Sequence, residues 1–79
     1  MGNAPSPLSA HFDEHNLWVE LIDGRTLGVP LTWFPRLLHA SESDRLAFFL
    51  SRDGIHWDEL DEDISVEGLL SVSLHRPFT

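Results

Sequence analysis

The sequence predicts an α+β fold: a small antiparallel sheet of about five strands with one or two short helices packed on one face. Three observations predict it. Apolar residues alternate with polar ones along the N-terminal segment. Asp-Gly dipeptides fall between apolar runs. At Thr32 the apolar spacing switches from that of a strand to that of a helix.

Residues 1–7, "MGNAPSP", are expected to form a flexible start, because two prolines among small polar residues cannot propagate a helix. Leu8, Ala10 and Phe12 then alternate. After a polar, turn-prone "DEHN", Leu17, Val19 and Leu21 alternate with Trp18, Glu20 and Ile22, which predicts a strand over 17–22. Asp23-Gly24 is a hairpin signal, since glycine accepts positive φ without cost. A further strand over 26–29 ends at Pro30. Thr32 is the expected N-cap of a helix over 33–40, with Pro35 in the first turn, where proline is tolerated. Phe34, Leu37 and Leu38 share one face of it. Ser41 or Ser43 caps one more short helical turn, and "LAFFLS" over 46–51 reads as a buried strand. Asp53-Gly54 marks a second turn, and "IHW" forms a short strand after it. Ser65 caps a last helical segment, with Glu67 near its positive end. Residues 8–72 therefore make one domain, and 73–79 form a tail without a clear pattern.

Composition narrows the function. At 79 residues the chain holds one small core. With 42% hydrophobic residues, including three Trp and five Phe, global disorder is not expected. There is no cysteine, which removes disulfides, thiolate metal sites and thiol catalysis. No apolar run approaches a membrane span, and the N-terminus lacks a signal-peptide pattern, so a cytoplasmic location is expected. Gly2 and Ser6 loosely fit a myristoylation pattern that arises often by chance.

Charge is the strongest compositional fact. Thirteen Asp and Glu stand against five Arg and no Lys, a formal net charge of −8. Direct binding to nucleic acid or to an anionic membrane is disfavoured, because both need a basic face. A basic protein is the natural partner, for example the nucleic-acid-binding surface of a toxin or a CRISPR effector. Plain solubility is the competing explanation of the same charge.

The charge is concentrated in "HWDELDEDIS", which holds Asp58, Glu59, Asp61, Glu62 and Asp63. The run lacks the glycine that a calcium loop needs at its turn, so no metal site is expected. A glycosidase-like carboxylate pair would need a cleft that a domain this small can hardly enclose. Asp61 or Asp63 has a structural use, accepting backbone N–H groups at the turn before Ser65, where a carboxylate also faces the N-terminus of the last helix. Asp58, Glu59 and Glu62 are left as the exposed members of a negative face. Together the five are the candidate partner-binding residues.

Trp33 and Phe34 are expected in the core, Trp57 is expected to be structural, and Pro35 shapes the helix start. Arg36, a scarce cation, is expected to pair with a carboxylate of the acidic run through its bidentate fork. His56 could donate to Asp58 or Asp61. His11 and His15 are spaced for a metal only on a helix, and they lie in strand and turn. No catalytic residue, cofactor or metal is expected, because no nucleophile elbow, phosphate loop or zinc motif is present.

Two segments are more specific, "DGRTLGVPLTWFPRLLHAS" and "GIHWDELDEDISVEGLL". They resemble a family of short bacterial domains of unknown function with the signature D-G-R, V-P-L-x-W-F-P-R-L and H-W-x-x-L-D-E-D-I-S. The resemblance covers residues 8–71. It implies a compact α+β domain that stands alone or precedes a helix-turn-helix. It also implies no established enzymatic activity, and an antitoxin association through neighbouring toxin-like genes.

Three readings follow. The leading one is a small, acidic, non-enzymatic inhibitor, antitoxin-like or anti-CRISPR-like, that mimics DNA. The alternative is a detached regulatory or dimerisation module of a transcription factor. A small enzyme or metal protein comes last. Monomer and dimer stay equally open.

Overall fold

The computed structural model describes residues 4–75, with side chains through residue 71. Ten elements follow in order: β1 (Pro7–Phe12), β2 (Asn16–Leu21), β3 (Thr26–Pro30), a 3-10 turn (Leu31–Trp33), α1 (Pro35–Leu38), α2 (Glu42–Leu46), β4 (Phe49–Leu50), β5 (Gly54–Trp57), β6 (Glu62–Ser65) and α3 (Val66–His75). The class is α+β. The strands form two three-stranded antiparallel sheets, β1-β2-β3 and β4-β5-β6, where the sequence predicted one sheet of about five. The reason is the helical stretch between β3 and β4, which carries the chain away from the first sheet before the second hairpin forms.

The first sheet follows the alternation closely. Leu17, Val19 and Leu21 are buried, and β2 pairs with both neighbours. The β2–β3 turn places Gly24 at φ 97, as an Asp-Gly hairpin requires. Leu8 departs from its expected face. The β1 register shifts between Pro7 and Ser9, and that bulge turns Leu8 outward while Pro7 is buried in its place. Strand β1 begins at Pro7, and the Ser6 carbonyl accepts the Ile22 N–H at 3.0 Å.

The middle of the chain is tighter than the predicted helix over 33–40. Leu31–Trp33 forms a 3-10 turn, and α1 is a single turn with Pro35 in its first positions. Thr32 is not its cap. Phe34 holds that position without a side-chain bond, because a proline right after Phe34 disfavours helical geometry there. Ser41 does cap α2, accepting the Asp44 N–H at 3.1 Å. The expected strand over 46–50 shrinks to Phe49–Leu50. Leu46 completes α2 and is exposed, as is Phe49.

One core joins the two sheets: Leu17, Val19, Leu21, Val29, Leu31, Leu37, Ile55, Trp57, Ile64, Val66 and Leu69. Trp57 lies at its centre. Phe12 meets it edge-on with centroids 6.3 Å apart, Phe48 lies 6.0 Å away, and its indole N–H donates to the Arg45 carbonyl at 2.9 Å. Arg45 in turn donates from Nε to the Leu37 carbonyl and from Nη2 to the Leu38 carbonyl, both at 2.7 Å. A short helix leaves its last carbonyls without partners, and here a guanidinium supplies them. No described helix is long and apolar enough to cross a membrane. Gly2 and the last residues of the expected tail lie outside the described residues, while α3 continues past the expected boundary at 72 to His75.

Candidate functional site

The acidic run is a hairpin. Trp57 pairs with Glu62, His56 with Asp63, Ile55 with Ile64 and Gly54 with Ser65. Residues 58–61 make the turn, closed by the Asp61 N–H donating to the Asp58 carbonyl at 3.2 Å. Asp61 sits at φ 53, a left-handed geometry that Asp tolerates better than most residues. Leu60 tucks against the core, so Asp58 and Glu59 are thrown outward at the tip.

The five carboxylates have different surroundings. Arg36 Nη1 donates to the Asp61 backbone carbonyl and lies 3.9 Å from its carboxylate, which is 97% exposed. The predicted pairing of Arg36 with the run is present, but through the backbone and with one nitrogen, not as a bidentate fork. Asp63 Oδ1 accepts from His56 Nδ1 at 2.7 Å. The sequence placed His56 against Asp58 or Asp61. Asp63 takes that role because it faces His56 across the β5–β6 ladder. Asp61 and Asp63 are therefore not acceptors for the last helix, whose Gly68 N–H goes to Ser65 Oγ at 2.9 Å. Asp58, Glu59 and Glu62 have no cationic partner among the described residues; Asp58 and Glu59 are exposed, whereas Glu62, expected exposed with them, is half-buried where it pairs with Trp57, and Asp61 and Asp63 are exposed.

His56 is held on three sides. A carboxylate only accepts, so Nδ1 carries the proton shared with Asp63, and Nε2 accepts from the Ser51 hydroxyl at 2.6 Å. Phe49 stacks on the ring with centroids 5.0 Å apart. The order Ser51, His56, Asp63 has the connectivity of a hydrolytic triad. Yet Ser51 Oγ also accepts the N–H groups of Asp53 at 3.3 Å and Gly54 at 3.2 Å. Both lone pairs of the hydroxyl are engaged by these two N–H groups. The array fixes the β4–β5 loop to the hairpin. It escaped the sequence reading because β6 was not recognised, and without β6 nothing places Asp63 opposite His56.

The cations are dispersed. Arg25 donates to Asp23 at 2.9 Å, Arg36 and Arg45 bind carbonyls, and Arg52 is exposed on the β4–β5 loop. At the opposite hairpin the Trp18 indole and the N–H groups of His15 and Asn16 lower the Asp13 carboxyl to about 2.

Beside β6 lies an open groove of about 600 Å³. Trp33 and Phe34, the Asp63–Ile64–Ser65 run of β6, and Gly68 and Leu69 of α3 line it. Phe34 packs partly against the core as expected, whereas Trp33 is 38% exposed and belongs to this surface. Trp57 is buried.

A family model described as "Protein of unknown function (DUF2442)" matches residues 7–73. A crystal structure of a protein of unknown function from Rhodospirillum rubrum ATCC 11170 is similar, with a TM-score of 0.75, 30% sequence identity and 89% of each chain covered. No curated protein matches. The chain belongs to the DUF2442 family.

Proposed function

We propose that this DUF2442 member is a small, acidic, non-enzymatic inhibitor that occupies a basic, nucleic-acid-binding surface of another protein. Antitoxin-like and anti-CRISPR-like DNA mimicry are the two forms this takes. The observation that carries it is the outward-facing tip of the β5–β6 hairpin. Asp58 and Glu59 are exposed there without a cationic partner among the described residues, in a chain of net charge −8. Of the four described arginines, Arg36 meets the hairpin only through the Asp61 carbonyl and a 3.9 Å approach to its carboxylate, and Arg25 and Arg45 are engaged elsewhere. The negative field is therefore little neutralised from within, and such a field steers a basic partner into contact. The filled hydrogen-bond shell of Ser51 supports a binding role over a hydrolytic one.

The test begins with capture of partners from the native host. A partner of the expected kind binds nucleic acid, and duplex DNA or heparin displaces it from this protein. Glu59→Gln with Glu62→Gln removes two charges at constant size. It should slow association and flatten its salt dependence, with folding intact. Equal association rates for wild type and double variant, or simultaneous binding of partner, protein and nucleic acid, would overturn the proposal.

A further inference from the structure

The groove beside β6 has three properties that belong together. First, it follows a strand edge. Successive strand residues point to opposite faces, so a concavity touching Asp63, Ile64 and Ser65 in succession must run along the edge of β6. That edge is the open side of its sheet, because the order is β4-β5-β6 and no described strand pairs with β6 on the far side. Second, its lining is largely apolar, with Trp33, Phe34 and Leu69 facing the space and Gly68 leaving room at the helix. Third, its polar margin is acidic. Asp63 lines it directly, and the strand that carries Asp63 leads back into the carboxylates of the hairpin tip.

An open strand edge with apolar seats is the geometry in which an extended segment adds as a further strand. The charge settles what kind of segment. A second copy of this chain would bring eight more negative charges to an already acidic margin. A segment carrying Arg or Lys between apolar residues matches both the margin and the floor. We propose that the β6 groove receives an extended, basic-and-apolar segment of the partner protein, its apolar side chains on Trp33, Phe34 and Leu69 and its cations on Asp63 and the hairpin carboxylates. This deepens the inhibitor reading and rests on it. The hairpin tip supplies attraction, and the groove supplies the fixed register.

The test uses the full chain and two short peptides of equal charge, one alternating arginine with valine and one alternating arginine with serine. Binding is followed by nuclear magnetic resonance of the labelled protein. The valine peptide should shift the amides of Ile64, Ser65 and Gly68 and the Trp33 indole. It should bind about tenfold or more tightly than the serine peptide, the worth of seating a single valine side chain. Gly68→Leu fills the groove without changing charge and should remove that preference, while Glu59→Gln with Glu62→Gln should weaken both peptides alike. Equal affinity of the two peptides, with shifts confined to residues 58–62, would overturn the groove and leave the acidic reading standing. A preference for valine that ignores salt and the Gln substitutions would support the groove and overturn the acidic reading. The peptide comparison needs no variant, so a Gly68→Leu protein that fails to fold does not remove the test. Self-association through β6, seen as concentration-dependent shifts in the absence of peptide, would replace the partner segment with a second copy and overturn the assignment.

Discussion

Gly54→Ala should be severely destabilising, for a reason that lies across the sheet and not in the backbone angle of Gly54. A Cβ built on Gly54 falls 2.1 Å from the Ile64 carbonyl oxygen and 3.1 Å from the Ser65 Cα. Both are backbone atoms of β6, which no side-chain rotation can move. Restoring ordinary contact requires the strands to part by about 1 Å, and a hydrogen bond near 2.9 Å stretched by that amount is lost. The bonds at stake across β5 and β6 are the Val66 N–H to the Asp53 carbonyl at 2.9 Å, which flanks the Gly54–Ser65 pair, and the ladder bonds of the adjacent Ile55–Ile64 pair. About three bonds at roughly 1 kcal/mol each, less up to about 1 kcal/mol from a stiffer unfolded chain, leave a net loss of about 2–3 kcal/mol. For a domain of this size that is a fall in Tm of roughly 10–25 °C. Thermal melts followed by circular dichroism, with a urea midpoint as a second measure, would record it. Gly24→Ala is the matched control: it strains φ 97 with nothing within 4 Å, so its fall should be smaller. A Gly54→Ala protein that melts within about 2 °C of wild type would refute the account of the hairpin as a closely fitted pair.

Other outcomes follow from the same geometry. Arg45→Met removes two charged hydrogen bonds from the end of α1 and should cost about 2–3 kcal/mol, seen as a lower urea midpoint; an unchanged midpoint would mean water replaces the guanidinium without loss. Arg36→Ala removes a single, exposed bond to the Asp61 carbonyl and should lower Tm by about 4–8 °C, whereas lost partner binding at constant Tm would make Arg36 a contact residue. Asp13 is held near a pKa of about 2, below its ordinary value of 3.8. Its contribution to stability is therefore complete above the ordinary value and is lost as pH falls through the folded one, since the unfolded chain takes up the proton first. Trp18→Phe removes the largest cause of that shift, so the carboxyl titration followed by carbon resonance should move upward; a midpoint that stays at about 2 would show that the His15 and Asn16 N–H groups suffice alone.

The first sheet was legible because its signals are local. Alternation over Leu17, Val19 and Leu21 and the Asp23-Gly24 turn each fix a few residues without reference to the rest of the chain. Strand β6 was not legible, since Ile64 is its sole buried apolar residue and the acidic residues before it read as solvated. Its identity comes from pairing with β5, a tertiary fact. The same gap hid the partner of His56 and the second sheet. Asp53-Gly54 reads as a turn signal, and the turn alone does not show that Gly54 opens β5 where two strands approach closely. Trp33 departs from its expected place in the core, since a large aromatic residue normally favours burial, yet it closes the 3-10 turn Leu31–Trp33 at 38% exposure. The lack of a cationic partner at Asp58 and Glu59, by contrast, follows from number, because five arginines cannot cover thirteen carboxylates.

The three tryptophans stand in three unlike settings, and the chain has no tyrosine to blur their light. Trp57 is enclosed at the centre of the core with its indole bonded to a carbonyl, which sets a blue emission that reports on folding. Trp18 is bonded to a carboxylate that titrates, so its quenching tracks the protonation of Asp13. Trp33 borders the β6 groove at 38% exposure, so its emission should move when a segment covers it. Single-tryptophan versions of this protein are thus ready-made optical sensors of unfolding, acid and occupancy, with no dye attached.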